Sequence, residues 1–486
     1  MMQRKKLNAQ TMTTSANDNM VEIRKLNQYI GAVIASLGGF ALGVALGWNS
    51  SAGEVLRNHM DATATEIGVI GGILNAGAGF GAILVPFLAR RVRRTTMMIA
   101  TMPFLAVGWT LICFSGVKVT NNFQTTCLMV GRAICGVCGG VFAVATPTYV
   151  AEIADKKIRG RLLGFFQIFV NCGIMYAFVA ANAIDEHETV WRYSSICGIA
   201  CFSIMPTKLL PESPLYYLSR NDEINAEKSL RWYRGDTYDI QHEINEMKQL
   251  VIMTRSKKLS LKMLKNRRIL RSLATCFGVV LGQQFSGANM MIFYALTLFN
   301  TMGSGELTGS EQTLIVGAVQ ILTSLLAAFL VDVLGRRILL SVSTLLMGLF
   351  LILLGWFFSL RDMDPEYDDI YFWMAPTWII LFFASFNLGL GPISWSVLGD
   401  VLPAEVRISG AAVVLALGWL VSLLATLTFD EMFVTLGTAK LMWLSAAICW
   451  LVSLFCAIVA KDTTGKSLAE VQEDFGIELN RGIEET

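Results

Sequence analysis

Runs of about 20 mostly apolar residues recur along the whole chain, and this feature limits the fold more than any other. A helix of that length spans the ~30 Å hydrocarbon core of a bilayer. Only 16% of the residues are charged, which is less than in a typical soluble protein. We therefore predict an all-α, polytopic membrane protein with twelve transmembrane helices. The predicted spans are approximately 28–48, 66–88, 95–115, 124–148, 161–183, 191–210, 270–297, 312–332, 338–359, 373–398, 408–429 and 438–460.

A polar, charged segment separates the sixth predicted span from the seventh. Two stretches in it, 222–233 and 239–254, have the periodicity of short amphipathic helices. We therefore expect two six-helix bundles joined by a helical linker. The predicted units are an N-terminal tail (1–26), a first bundle (27–210), the linker (211–269), a second bundle (270–460) and a C-terminal tail (461–486).

Basic residues concentrate in alternate loops. The loops on the side of the N-terminus contain the basic runs 90–94 and 156–161, whereas the opposite side contains the acidic run 185–188. Because cytoplasmic loops are enriched in Lys and Arg, both termini and the linker are predicted to be cytoplasmic. The polar first 26 residues lack the apolar centre of a cleavable signal peptide. A net charge of +2 gives no reason to expect a nucleic-acid partner.

Short charged motifs recur at equivalent places in the two halves. ARRVRR (89–94) follows the second span, and DVLGRR (332–337) follows the eighth. An acidic residue also precedes an arginine by seven positions after the fourth span and again after the tenth. These two pairs are Glu152 with Arg159 and Asp400 with Arg407. Internal repeats of this kind are typical of transporters whose halves rock about a central site.

The seventh span, VLGQQFSGANMMIFYALTLF (280–299), contains Gln283, Gln284 and Asn289 among apolar residues. A carboxamide both donates and accepts hydrogen bonds, so it matches sugar hydroxyls without adding charge. On an ideal helix the three amides do not share a narrow face. They converge if the helix unwinds near Gly287, as helices do at the midplane sites of transporters. The alternative is that they are polar contacts between helices.

Seven motifs follow one another along the chain: GRAICGVCGG (131–140), PTYVAEIADKKIRG (147–160), PESP (211–214), GQQFSGAN (282–289), DVLGRR (332–337), GPISW (391–395) and GKSLAEV (465–471). Together they resemble the sugar porter family of the major facilitator superfamily, over about residues 28–475. The linker start and the seventh span are similar to the facilitated trehalose and hexose transporters of insects. The resemblance implies the major facilitator fold and a monomer that carries a small sugar across the lipid bilayer, without cofactor or metal.

The resemblance also implies which side chains bind the sugar. Gln320 stands where the family usually has asparagine, and Asn387 where it often has an acidic residue. Phe293 and Tyr294 resemble an outer gate. The implied substrate-binding residues are Gln167, Gln283, Gln284, Asn289, Gln320, Asn387, Trp395 and Trp419.

A charge latch on the cytoplasmic side is a second implication of the resemblance. Its pairs hold the two bundles closed and must break when the carrier opens inward, so their net energy must be modest. The first-half motif departs from the family pattern, because Ala89 and Val92 replace an aspartate and a glycine. The alternative is that the arginines only set the topology. The implied latch residues are Arg132, Glu152, Arg159, Glu212, Asp332, Arg336, Arg337, Asp400 and Arg407.

Asn49 helps to distinguish proton-coupled transport from facilitative transport. Proton-coupled members of the family carry an aspartate at this position, and an amide does not titrate in the working pH range. We therefore expect facilitative uniport of a hexose such as glucose, or of trehalose, at the plasma membrane. The alternatives are a proton symporter and a sugar sensor of the same fold that does not transport.

Two further alternatives concern chemistry rather than coupling. A polyol, urate or ascorbate could replace the sugar, but an anionic substrate needs a cation in the cavity, and the sequence places none in the central thirds of the spans. An enzyme is disfavoured because the chain shows no nucleophile elbow, phosphate loop or cluster of His, Asp and Glu.

Overall fold

The computed structural model describes residues 24–60, 64–115, 121–183, 190–256, 267–293, 299, 308–364, 371, 373–402 and 406–459. The first half contains α1 (Leu26–Met60), α2 (Ala64–Ala89), α3 (Arg94–Phe114), α4 (Asn121–Ile153), α5 (Arg159–Asn182) and α6 (Val190–Gly198), which continues as a 3₁₀ helix (Ile199–Leu209). The linker contains α7 (Pro214–Ser219), α8 (Glu223–Arg234) and α9 (Gln241–Ser256).

The second half begins with α10 (Arg267–Phe285) and α11 (Ala288–Phe293), which are separated by a short break. The remaining helices are α12 (Gly309–Leu334), α13 (Arg336–Met363), α14 (Met374–Leu388), α15 (Leu390–Asp400), α16 (Arg407–Leu436) and α17 (Thr438–Val459). All described secondary structure is therefore helical, as the sequence predicts.

Each predicted span coincides with one helix or with two consecutive ones. In the described residues, ten helical stretches of 21 to 32 residues are long and apolar enough to cross a membrane. One of these stretches, Met374–Gly399, combines α14 and most of α15. The other two predicted spans are also divided: α6 tightens into the 3₁₀ helix, and the seventh span breaks between α10 and α11. Large apolar side chains such as Phe87 (66% exposed) and Leu322 (65% exposed) point outward. Such an apolar exterior suits lipid rather than water, so the protein is a multi-pass membrane protein.

The helix contacts repeat between the halves. In the first half α1 packs on α5, α2 on α4, and α3 on the 3₁₀ helix. The equivalent pairs in the second half are α10 with α16, α12 with α14, and α13 with α17. Contacts between the halves are made mainly by α2 with α16 and by α5 with α12. A site between the bundles is therefore formed by these four helices and their neighbours.

The linker lies against the first bundle, at the start of α1 and the end of α4. The backbone N–H of Arg24 donates to the Arg234 carbonyl (2.9 Å), and Asn27 Nδ2 donates to the Trp232 carbonyl (2.6 Å). Arg234 Nη1 donates to the carbonyl of Ile153 at 2.7 Å. Burial raises the pKa of Tyr233, and its hydroxyl is hydrogen-bonded to that of Tyr149. We call the end of the molecule that carries the linker the linker side, and the opposite end the far side.

Candidate functional site

Gln167 and Trp395 join the two bundles near the centre of the molecule. Trp395 Nε1 of α15 donates to Gln167 Oε1 of α5 at 2.7 Å. Both side chains are buried, and the Trp395 ring packs edge-on against Phe166 with 5.1 Å between centroids. A residue from each half therefore contributes to one polar contact, as a site between two moving bundles requires.

Asn171 continues this contact, and the sequence analysis did not identify it. Its Oδ1 accepts from Gln167 Nε2 at 2.9 Å. Its Nδ2 contacts three acceptors in the second bundle: Asn387 Oδ1 at 2.7 Å, and Ser324 Oγ and the Gln320 carbonyl, both at 3.2 Å. The signal available in the sequence is the spacing, because Asn171 stands four residues after Gln167 and therefore on the same helix face.

Gln320 lies beside this group with its side-chain amide unused. The residue is 1% exposed. Within the described part of the chain, neither its Oε1 nor its Nε2 has a hydrogen-bond partner, and the indole N–H of the buried Trp419 has none either. A buried polar group without a partner costs about 1–3 kcal/mol. A polyhydroxy ligand at this place would satisfy such groups.

The seventh span breaks where the sequence predicts. α10 ends at Phe285, α11 begins at Ala288, and Gly287 between them has φ +83°, a conformation that favours glycine. The break turns Asn289 back, so that its Nδ2 donates to Gln284 Oε1 at 2.6 Å. Gln283 and Gln284 are buried, and Asn289 is half-buried.

Gln284 also approaches α16. A methyl group placed on Gly418, next to Trp419, would lie 3.8 Å from Gln284 Nε2. The amide of Gln284 therefore reaches the surface of α16 at Gly418. For the predicted outer gate, α11 ends at Phe293, and the side chain of Phe293 and all of Tyr294 lie outside the described residues.

Arg132 requires a correction, because the structure separates it from the predicted latch. It stands 20 residues before Glu152 in the continuous helix α4, which places the two about 30 Å apart at 1.5 Å per residue. Its guanidinium is fully buried, 4.9 Å from the centre of the Trp48 ring. It donates to the carbonyls of Ala45 and Ile70, and its Nη2 lies 3.5 Å from Asn49 Oδ1.

Asn49 is thus the polar side chain that faces this buried cation. It is 4% exposed, on α1, and a methyl group on Gly71 of α2 would lie 3.0 Å from its Oδ1. The expectation that the central thirds of the spans hold no cation is therefore wrong for Arg132. The described contacts of the guanidinium are neutral groups that belong to the first bundle.

Glu152 and Glu212 tie the first bundle to the linker on the linker side. Arg94 Nη2 donates to Glu152 Oε1 at 2.7 Å, and the Ser213 hydroxyl donates to Glu152 Oε2. Glu212 Oε2 accepts from the backbone N–H of Thr95 at 3.0 Å and from the Thr95 hydroxyl at 2.9 Å. Both carboxylates therefore bond to the start of α3, where the first charged motif ends.

Asp332 makes an ion pair that crosses between the bundles on the linker side. Its Oδ2 lies 3.2 Å from Arg161 Nε of α5. A methyl group on Gly160 would lie 2.8 Å from Asp332 Oδ1 and 3.4 Å from Arg336 Nη2, so both second-bundle charges reach the start of α5. Arg161 is a latch residue that the sequence analysis did not identify.

Of the other predicted latch residues, Arg407 of the second bundle interacts electrostatically with Glu152 of the first. Arg159 and Arg407 are buried at the starts of α5 and α16. Arg337 points away from the bundle interface, because it donates to the Ala457 carbonyl of its own bundle. Asp400 ends α15, and its side chain lies outside the described residues.

Comparison with known proteins gives three results. The model of the family described as "Sugar (and other) transporter" matches residues 28–475. The chain is 30% identical to the facilitated trehalose transporter Tret1 of Bombyx mori, over 92% of this chain and 86% of the relative. It is also 30% identical to Tret1 of Apis mellifera ligustica, over 94% of this chain and 90% of the relative.

The fold is similar to that of the proton:xylose symporter XylE bound to 6-bromo-6-deoxy-D-glucose. The TM-score is 0.79, with 22% identity, and the match covers 93% of this chain and 100% of the other. At this identity the likeness concerns the arrangement of helices, which is that of the major facilitator superfamily.

Proposed function

This chain belongs to the sugar transporter family of the major facilitator superfamily, and we propose from that premise that it carries a hexose such as glucose, or the disaccharide trehalose, by facilitative uniport. The family consists of transporters rather than enzymes. The observation that carries the proposal is the buried amide of Gln320, whose two polar atoms have no partner in the described structure. The backbone carbonyl of Gln320 accepts from Asn171 of the first bundle at 3.2 Å, so the residue lies where a sugar would contact both bundles.

The chemistry of these side chains favours a neutral polyhydroxy substrate. Gln167, Gln284, Gln320 and Asn387 supply amides, and Trp395 supplies an indole N–H and an apolar ring face. Each amide both donates and accepts, as each sugar hydroxyl does. The relatives named as trehalose transporters support trehalose as the substrate. We include Gln283 and Asn289 in the proposed binding surface because they lie on either side of the break in the seventh span, and Trp419 because its buried indole N–H has no partner in the described structure.

Uniport is favoured by the placement of the acidic residues. In the described part of the chain, the buried acidic side chains are Glu152, Asp155 and Glu212. All three lie on the linker side, and Asn49 occupies the position that faces buried Arg132. An amide cannot take up and release a proton, so this position provides no coupling ion. The proposal therefore excludes a proton gradient as the energy source.

We place the protein in the plasma membrane with the linker side in the cytoplasm, because the basic loops lie on that side. The five-part division of the chain and the outer gate at Phe293 and Tyr294 belong to the same proposal. In its cycle, the ion pair between Asp332 and Arg161 closes the linker side and breaks when that side opens. The carrier is proposed to work as a monomer.

Labelled-sugar uptake in cells that lack their own hexose carriers tests the proposal. Glucose, fructose and trehalose are supplied separately at two external pH values, with and without a protonophore. We expect saturable uptake of at least one sugar, unchanged by the protonophore, and a reduction of tenfold or more in Gln320→Leu at equal surface amount. Uptake that collapses when the proton gradient is dissipated contradicts uniport. A wild-type protein that reaches the surface and moves none of the sugars contradicts the proposed substrate class.

A further inference from the structure

Four side chains form one continuous chain of hydrogen bonds that enters and leaves the first bundle. Trp395 Nε1 donates to Gln167 Oε1 (2.7 Å), and Gln167 Nε2 donates to Asn171 Oδ1 (2.9 Å). Asn171 Nδ2 then donates to Asn387 Oδ1 (2.7 Å), and Asn387 Nδ2 donates to the Phe383 carbonyl (3.0 Å). We call these four residues the amide chain. It begins and ends in the second bundle and passes through α5 of the first.

The two ends of the amide chain fix the direction of every bond in it. An indole nitrogen can only donate, and a backbone carbonyl can only accept. Gln167 must therefore turn its oxygen toward Trp395, and Asn387 must turn its nitrogen toward Phe383. Asn171 is left with its oxygen toward Gln167 and its nitrogen toward Asn387 and the Gln320 carbonyl. Because each amide orientation follows from its neighbours, the chain is internally consistent.

Asn171 makes hydrogen bonds to Gln167 and Asn387, two residues that the proposed sugar would also contact. Its carboxamide is 1% exposed and is bonded to groups of both bundles. With Trp395 and Asn171 as partners, Gln167 has bonds to both its oxygen and its nitrogen. Gln167 keeps one N–H and one acceptor lone pair for a further partner, because a carboxamide has two of each. Asn171 and a sugar hydroxyl are therefore partners of the same carboxamide, and Asn171 remains bonded to it when no sugar is present.

We propose that Asn171 is a positioning residue for the return step of the carrier, in which it takes over from sugar hydroxyls the role of joining the bundles. The inference rests on the proposed uniport, because a uniporter must cross the membrane with sugar in one direction and without it in the other. During the sugar-free crossing the amide chain satisfies Gln167 and Asn387 within the protein. During the loaded crossing, sugar hydroxyls satisfy them. Removal of Asn171 therefore slows the sugar-free crossing more than the loaded one.

The test compares two fluxes in proteoliposomes of the full-length protein, with a sugar that the wild type carries. Net efflux into sugar-free medium requires the sugar-free crossing in every cycle, whereas equilibrium exchange of labelled for unlabelled sugar does not. The variant is Asn171→Leu, which has a similar volume and no polar atoms. We expect its ratio of exchange to net efflux to rise about fivefold over wild type, which corresponds to about 1 kcal/mol for one hydrogen bond.

The matched control is Thr146→Val. The Thr146 hydroxyl is buried and donates to the Ala35 carbonyl at 3.2 Å, but both residues belong to the first bundle. Loss of this bond removes a buried polar contact without touching the amide chain, so the flux ratio should stay at the wild-type value. Asn387→Leu breaks the chain one bond further on and keeps Asn171, and we expect it to raise the ratio as well. If Asn171→Leu does not fold, the ratio of exchange to net efflux is measured in Asn387→Leu instead.

Three outcomes are decisive. A raised ratio in Asn171→Leu or Asn387→Leu, with Thr146→Val unchanged, supports the role of Asn171. Equal slowing of both fluxes in the folded variants shows that Asn171 is only structural and overturns the inference, while uniport itself remains intact. A wild-type protein that carries no sugar in either assay contradicts the proposed function, and the inference fails with it.

Discussion

The two copies of the charged motif hold different parts of the molecule together. In the first copy (89–94), Arg94 pairs with Glu152 of the same bundle, and Glu152 in turn accepts a hydrogen bond from Ser213 of the linker. In the second copy (332–337), Asp332 pairs with Arg161 of the other bundle. In the proposed cycle, the first copy joins parts that move as one unit. The second joins parts that separate when the linker side opens.

Repeat positions explain why the bond between the bundles is asymmetric. Ala89 is the counterpart of Asp332 in the other motif. Arg161 follows Glu152 by nine positions, and Ser409 follows Asp400 by nine, so Ser409 is the counterpart of Arg161. Ala89 and Ser409 cannot form an ion pair, although their helices α2 and α16 pack together. The position of Ala89 and Ser409 thus lacks both charges of the Asp332–Arg161 pair.

The largest predicted effect is a loss of stability when the ion pair of the first copy, between Arg94 and Glu152, is broken. In Glu152→Gln, the Arg94 side chain, 9% exposed, would face a neutral amide. Loss of one partner from a buried pair costs about 3–5 kcal/mol, so we expect much less folded protein at the surface and a clearly lower Tm in detergent. Asp155→Asn, whose residue lies at the same end of α4, serves as the control. A Glu152→Gln protein as stable as wild type would contradict the assignment of a holding role to this pair.

The next largest effect is a change in KM when the ion pair of the second copy, between Asp332 and Arg161, is broken. The side chains of Arg161 and Asp332 are 26% and 16% exposed, so their pair is worth about 1 kcal/mol. Asp332→Asn should fold normally, but it should close the linker side less often. Because apparent affinity falls with the fraction of competent protein, the KM for entry from the far side should rise about fivefold. An unchanged KM together with a large loss of Tm would show that the second copy contributes to stability rather than to the transport cycle, which contradicts the prediction.

A smaller effect is expected when the missing ion pair is supplied. Ala89→Asp combined with Ser409→Arg places opposite charges at the vacant repeat positions. The added closure should lower the maximal uptake rate about threefold, because the same bonds must break in every turnover. The two single variants complete a double-mutant cycle that isolates the pairwise energy. Additive effects of the single variants would show that no bond forms between these positions.

The smallest effect concerns the turn in the motif. Gly335 has φ +82°, whereas Val92 at the equivalent place is not in the left-handed region. The first turn is closed instead by hydrogen bonds from the N–H groups of Arg91 and Val92 to the Leu88 carbonyl, at 2.9 and 2.8 Å. Val92→Gly should therefore lower stability by about 0.5–1 kcal/mol through backbone entropy and leave uptake unchanged. Increased uptake would show that this turn limits the cycle.

The fold was largely predictable because membrane-spanning length and apolarity are encoded locally. The break at Gly287 was also predictable, since a glycine stood between amides that an unbroken helix would have kept apart. The prediction that Arg132 belongs to the charge latch was wrong because it ignored the length of the continuous helix α4, which separates Arg132 from Glu152 by 20 residues. Asn171 was missed because its importance arises from partners that are distant in the sequence, Asn387 and Ser324, which only the packing of α5 against α12 and α14 brings near.

Counterflow in proteoliposomes tests most directly whether a sugar site is presented alternately by two bundles. Vesicles loaded with unlabelled glucose or trehalose are diluted into a trace of the same labelled sugar, without any ion gradient. We predict that label rises transiently above its outside concentration in wild-type vesicles, and that Gln320→Leu abolishes the overshoot. Label that only equilibrates in wild-type vesicles, or an overshoot that Gln320→Leu leaves intact, would contradict the account.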